Sequence, residues 1–508
     1  MSRILLRAAK APWTPTRAEV VLAQRTIGMN IGNLVFGQSV HRTLSVPGAE
    51  IVTNSYLGSK AGVDASYAQR INDEFDRFVV PLANAFRPTY RSGLQRLTRT
   101  IKQLDMPVTV VGVGSQHKLD VPIEGMDPIA EDVQEFMAAV LDRSASVGVR
   151  GEMTAAYLKS LGFGDEHVDV IGCPSIFLNG PSPTVTKKVA HLDAASPVAM
   201  NVSPYVAQMA PIVERHAERY PHLIYIPQNH SDLLTMVWGE NPESIVDARR
   251  PVHTDHRLFV EDRMRFPLDP RTWIEYLQGF DFAFGTRIHG TIASILAGTP
   301  AMLLAHDSRT LELADYHSIP HLRIKDVSPD VDAADLFEQV DYSAFHAGLP
   351  EAFTRFTAFL EKNGLAHIYE PGNENAEFDK KLNDAQLPPM VHTLTAPGEA
   401  GRREMLARLQ WLRQGATMDS KRTCYRFTPE FPHTPKAAGS AAEQVGRGRP
   451  AAQELAELKV QLAKTQKRLD RQAEMIKRLE ASNPSALHRG RRFARRLRRR
   501  VSAVATTS

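Results

Sequence analysis

Between residues 19 and 360 the chain alternates short apolar runs, rich in β-branched residues, with amphipathic stretches of helical period. Strands and helices follow one another in this order in a parallel sheet. The runs that read as strands are 50–54, 108–112, 146–149, 168–171, 198–202, 223–226, 280–284 and 301–304. Most are apolar throughout instead of alternating, which predicts burial on both faces. Val133, Phe136, Met137, Val140 and Leu141 recur at helical spacing, so residues 131–143 read as one helix. Residues 155–161 read as another, closed by Gly162.

Pro181, Pro183 and the polar stretch to Pro197 mark a boundary after about Asn179. Two α/β domains facing a cleft are expected, one over 19–179 and one over 196–360. The periodic pattern fades after Gly364, so 365–450 reads as an irregular segment and linker, with a helix returning over 402–413. Beyond it Leu455, Leu458, Leu462, Thr465, Leu469, Gln472, Ile476 and Leu479 fall on alternating steps of three and four. These are the a and d positions of a heptad, and they predict a coiled coil over 453–482 that would let copies of the chain associate. The competing reading is a single solvated amphipathic helix. Residues 489–500 form an arginine-rich tail in which eight of twelve residues are arginine.

Composition narrows the class. The chain has 508 residues, 43% hydrophobic and 23% charged, with a net charge of +4. That describes a globular protein of about three units and excludes a collagen-like or wholly disordered one. Residues 450–508 hold 15 basic and 5 acidic side chains, or +10, so residues 1–449 carry −6. The tail could lie on an anionic membrane surface, bind a polyanion, or end free in solvent, nucleic acid being the least favoured partner. Two cysteines, Cys173 and Cys424, build no disulfide framework and suggest a reducing compartment. The apolar run before Arg7 is too short for a secretory leader. The most membrane-like stretch, 292–305, is broken by Gly298 and Pro300 and falls short of the roughly 20 residues a span requires. A cytoplasmic protein is expected, either free or peripheral at the inner face of the membrane.

The chemistry concentrates where strands hand over to helices. Residues 280–305 read as a buried strand, a Gly285-Thr286 turn, a helix opening at Ile288, and a second strand after Gly298. The carboxyl end of a strand in such a sheet is where ligands bind, and the opening helix adds free N–H groups. Arg287 at that point can grip a carboxylate or phosphate through its fork, and His289 can donate a proton. The competing reading is an arginine paired with a nearby acid and a histidine that caps the helix. Three further segments sit at strand ends or helix starts: Gly112-Val-Gly-Ser115-Gln116, Val149-Arg150-Gly-Glu152, and the Asn30-Ile-Gly32-Asn33 loop. Ser115, Gln116, Asn30, Asn33 and the Gly32 amide could meet a ligand, and Arg150 could meet an anion. Structural turns and an Arg150–Glu152 surface pair are the plainer alternatives. No metal-ligand cluster or P-loop stands beside them.

In order and spacing these segments, with 171–177 and Gly298-Thr-Pro300, resemble the polysaccharide pyruvyl transferase family. The resemblance implies two Rossmann-like domains like those of B-type glycosyltransferases. It also implies transfer of the enolpyruvyl unit of phosphoenolpyruvate to a sugar diol as a ketal, on a cell-surface glycan or a lipid-linked sugar precursor. No tightly bound cofactor or metal is implied, with phosphoenolpyruvate as donor substrate. Carried over by position, Arg150 and Arg287 would bind the donor, the Ile288 backbone would assist, and His289 would be the general acid. Many members have an acid where this chain has Cys173, which is expected to be a buried packing residue. The alternatives are a nucleotide-sugar glycosyltransferase of similar fold and a non-catalytic coiled-coil tether.

Overall fold

Strands and helices alternate from the first residues onward in a computed structural model that describes residues 2–60, 65–116, 128–240, 247–417 and 427–432. The strands are β1 (Ser2–Leu6), β2 (Ala49–Thr53), β3 (Arg77–Pro81), β4 (Val108–Val111), β5 (Val147–Val149), β6 (Val168–Val170), β7 (Val198–Asn201), β8 (Ile224–Tyr225), β9 (Phe282–Gly285), β10 (Ala301–Ala305) and β11 (His321–Arg323). The first sheet runs β2-β1-β3-β4, and a parallel bridge from Val113 to Val149 carries it on to the β5-β6 pair. The second runs β11-β10-β9-β7-β8. Every pairing between these strands is parallel.

Parallel strands joined by helices need cover on both faces, and the side chains divide accordingly. In the first sheet Ile4, Leu6, Val79 and Val111 point into one core, and Leu5, Phe78, Val80, Val108 and Val110 into the other. The second core is closed by helices Arg91–Ile101 and Ala130–Leu141, whose Leu94, Leu97, Val133, Phe136, Met137 and Val140 are fully buried.

Each sheet changes direction once. Strand order reverses between β1 and β3 in the first sheet and between β7 and β9 in the second. Crevices open outside the carboxyl ends of strands at such switch points.

The eight strands read from the sequence all form, and three more join them. The domain expected to begin at residue 19 begins at Ser2, because β1 is the second strand of its sheet and pairs with both β2 and β3. β3 is short and ends in Pro81, and β11 is a three-residue edge strand, so neither carries a strong pattern. Within 365–417 the helix expected over 402–413 forms, as Gly398–Thr417, and a further one, Ala376–Asp384, joins it. Further on, the Glu430 carboxylate accepts from the Thr53 amide and hydroxyl, both at 2.7 Å, and Phe431 packs edge-on against Phe75. The expected coiled coil at 453–482 and the arginine tail at 489–500 lie outside the described residues. No helix among the described residues is long and apolar enough to cross a membrane.

Helix Ser343–Lys362 leaves the second sheet and returns to the first, where Asn363 exchanges hydrogen bonds with Ser146 and accepts from Arg77 at 2.7 Å.

Candidate active site

The decisive turn follows β9. Gly285 adopts φ +149°, and a side chain there would run into the Asn201 carbonyl oxygen at 1.7 Å, so the position requires glycine. Asn201, at the end of neighbouring β7, holds the turn from both sides. Its carbonyl accepts from the Thr286 amide at 2.8 Å and its side-chain oxygen from the Arg287 amide at 3.0 Å. Helix Ile288–Leu296 then starts where the sequence places it.

Arg287 is nearly buried and donates to the Asn229 side-chain oxygen, which also accepts from Asn30 at 3.2 Å. It forms no ion pair with an acid among the described residues, and its Nε has no partner. Arg150 is 1% exposed, so it cannot form a surface pair with Glu152; its Nε donates to the Gly112 carbonyl at 3.0 Å and its Nη2 is unpartnered. Gly114 makes room for it, since a Cβ there would lie 2.9 Å from the Arg150 Cδ.

His289 is buried on all sides. Burial first, then Arg150, Arg309 and Arg287, hold its imidazole well below the ordinary value, so it is neutral in the empty site. It does not cap the helix, whose N-cap residue is Arg287. Its Nε2 lies 3.9 Å from the Cys173 sulfur. Cys173 is fully buried as expected, yet it packs against the imidazole instead of a plain apolar wall. On the other side stands Gly32, where a Cβ would fall 2.6 Å from the His289 Nδ1. Gly32→Ala is therefore expected to displace the ring and lower turnover by roughly 10²-fold. Unfolding should cost no more than an overpacked core substitution, about 1–3 kcal/mol. Steady-state kinetics beside thermal melting checks both, and unchanged turnover would show that the ring does not depend on this contact.

These groups converge on a cavity of about 220 Å³ between the two sheets. Asn30, Asn33, Gln116, Arg150, Arg287, Ile288 and His289 all line it. Gly32 touches His289 from behind. Ser115 does not line the cavity: it is 1% exposed, and its amide and hydroxyl face Thr154 at 3.0 and 3.3 Å. Gln116 spans the cleft, accepting from Asn84 at 2.6 Å and Arg87 at 3.0 Å while donating to Asp307 at 3.0 Å.

The sequence reading missed Arg87, Tyr205, Asn229 and Arg309, which also line the cavity. Each follows the carboxyl end of a strand, β3, β7, β8 and β10 in turn. Four guanidinium groups and no carboxylate line the cavity. Among the described residues no three His, Cys, Asp or Glu side chains gather closely enough to hold a metal ion.

The sequence profile of polysaccharide pyruvyl transferases matches residues 32–308, more than half of the chain and all of the strand-end residues just described except Asn30 and Arg309. The chain belongs to this family. No curated protein matches it. Among solved structures it is similar to an uncharacterised protein of Klebsiella pneumoniae (12% identity, 63% of this chain and 93% of that one, TM-score 0.35). It is also similar to UDP-N-acetylglucosamine 2-epimerase of Rickettsia bellii (10% identity, 71% and 96%, TM-score 0.36). A third is Anabaena HepE in complex with UDP-glucose (12% identity, 76% and 99%, TM-score 0.33). The family match stops one residue short of Arg309, so the fourth cavity arginine lies just outside the matched region.

Proposed function

We propose that the chain moves the enolpyruvyl unit of phosphoenolpyruvate onto two hydroxyls of a glycan or glycan precursor, forming a pyruvate ketal. One observation carries the reading: Arg150, Arg287 and Arg309, the last paired with Asp307 at 3.3 Å, act on a buried imidazole in a cavity that Arg87 also lines and no carboxylate does. Such a lining suits a small donor with a carboxylate at one end and a phosphate at the other, gripped by forked guanidinium groups.

Bound there, the donor brings negative charge beside His289 and reverses the local field. The imidazole then gains a proton, which it gives to the methylene carbon as a sugar hydroxyl attacks the neighbouring carbon. The C–O bond to phosphate breaks, the second hydroxyl closes the ring, and its proton leaves with the phosphate. The proton taken up by His289 ends on the new methyl group, the first hydroxyl gives its own back to solvent as it attacks, and that of the second leaves on hydrogen phosphate, so no net proton is consumed.

The test is incubation with phosphoenolpyruvate and galactose-, glucose- or mannose-containing acceptors. Phosphate release should match the acid-labile pyruvate appearing on the glycan. Release of phosphate without ketal, or no reaction with any acceptor, counts against the reading.

Cys173 supplies a second test. An aspartate at that position sets a negative charge beside His289 and favours imidazolium, so the alkaline limb of the rate profile should move up by roughly one pH unit. Cys173→Ala should leave that limb in place. A limb unmoved by Cys173→Asp, in a variant that melts normally, would mean that His289 is not the group titrating.

A further inference from the structure

A second cavity, of about 340 Å³, adjoins the first and shares Met29, Asn33, Ala83, Asn84 and Arg87 with it. It opens at the switch point of the first sheet, beyond the carboxyl ends of β1 and β3, as the donor cavity opens at that of the second. The mechanism above leaves it unused.

Its lining is strongly one-signed. Arg7, Arg25, Lys60 and Arg87 face it, and no Asp or Glu does. Arg7 is fixed by neutral partners only: it donates to Ser59 at 3.0 Å, the Pro81 carbonyl at 3.1 Å and the Tyr90 hydroxyl at 3.0 Å, and it lies over the Tyr56 ring. Its charge is oriented but not neutralised. Arg87 keeps its Nε without a partner. Arg25 ends helix Ala18–Gln24 at φ +54°, a left-handed conformation that helix ends usually give to glycine or asparagine. A branched or long side chain there costs about 1 kcal/mol, which points to a use for the side chain itself. Partial burial first, and then the nearby Arg25, push the Lys60 ammonium below its usual value.

We propose that this second cavity binds a phosphate or diphosphate group carried by the acceptor. Four cations suit a group of two or more negative charges better than a single carboxylate. A phosphoryl group held at Arg7, Arg25 and Lys60 leaves the attached sugar at the shared wall of Asn33, Asn84 and Arg87, facing the donor. The assignment deepens the pyruvyl-transfer reading and rests on it.

The experiment is calorimetric titration of the full chain with inorganic pyrophosphate, with phosphoenolpyruvate present at saturation so that the donor cavity is filled. One site is expected, weakening as salt is raised. The double variant Arg25→Ala/Lys60→Ala should bind pyrophosphate about tenfold or more weakly while binding phosphoenolpyruvate normally, because neither residue lines the donor cavity. Equal pyrophosphate binding by the variant, or binding only when phosphoenolpyruvate is left out, overturns the proposal. Uridine diphosphate and farnesyl diphosphate serve as further probes: tighter binding of one assigns a nucleotide-linked or a lipid-linked acceptor, and parity with pyrophosphate assigns recognition to the phosphoryl group alone. Pyrophosphate binding in a protein that forms no ketal would refute the transfer reading and leave the anion site standing. Ketal formation without pyrophosphate binding would do the reverse.

Discussion

Replacing His289 with glutamine is expected to lower kcat by about 10² to 10⁴, the range a positioned general acid contributes, with kcat and kcat/KM falling together. The fold should survive, since among the described residues the ring's one polar contact is the long approach of 3.9 Å to the Cys173 sulfur. A second readout separates a proton donor from a packing residue. Burial and three arginines keep the empty-site imidazole neutral, and a donor carrying carboxylate and phosphate favours the charged form. Donor binding should therefore draw in a proton. At pH 8 free phosphate esters have already lost theirs, their second ionisation lying near 6. Uptake of about one proton per donor bound, measured by calorimetry in buffers of different ionisation heat, is expected for the native chain and absent in His289→Gln. Equal uptake in both proteins would assign the proton elsewhere.

Arg287→Ala should cost the donor more than any other single change. Truncating one partner of a buried charged contact costs about 2–5 kcal/mol, or on the order of 30- to 3000-fold in kcat/KM. Part of the loss is local, because the Asn229 side-chain oxygen, which accepts from both Arg287 and Asn30, would lose its guanidinium donor. Arg287→Lys tells charge from shape: a point charge restores the electrostatic share but not the fork, so recovery should be partial. Full recovery would reduce the role of Arg287 to neutralisation, and no loss in either variant would remove it from donor binding.

Why these residues were legible in the sequence and others were not has a physical basis. Arg150, Arg287 and His289 follow strong apolar runs within glycine-marked turns, and the glycines mark places where a Cβ would collide, Gly114 against Arg150 and Gly285 against Asn201. Both sheets were foreshadowed by continuous apolar strands. β1 was not, since five residues beside a chain terminus look the same whether they pair or trail, and only its pairing with β2 and β3 reveals it. Arg87 and Arg309 were missed because nothing local sets them apart from surface arginines: they become site residues through the topology, which brings the ends of β3 and β10 to one cleft. Ser115 shows the opposite error, a strand-end residue that turns inward to Thr154.

The bonds that span the cleft have a bearing on when the protein becomes competent. Arg150 belongs to one sheet and His289 to the other, and Gln116–Asp307, Asn30–Asn229 and the returning helix Ser343–Lys362 hold the two together. Neither half carries the arginine set alone, so a chain with one half folded is chemically silent. Activity is then expected only once residues 343–362 have emerged and docked. A cut in that helix would end it without touching a single cavity residue.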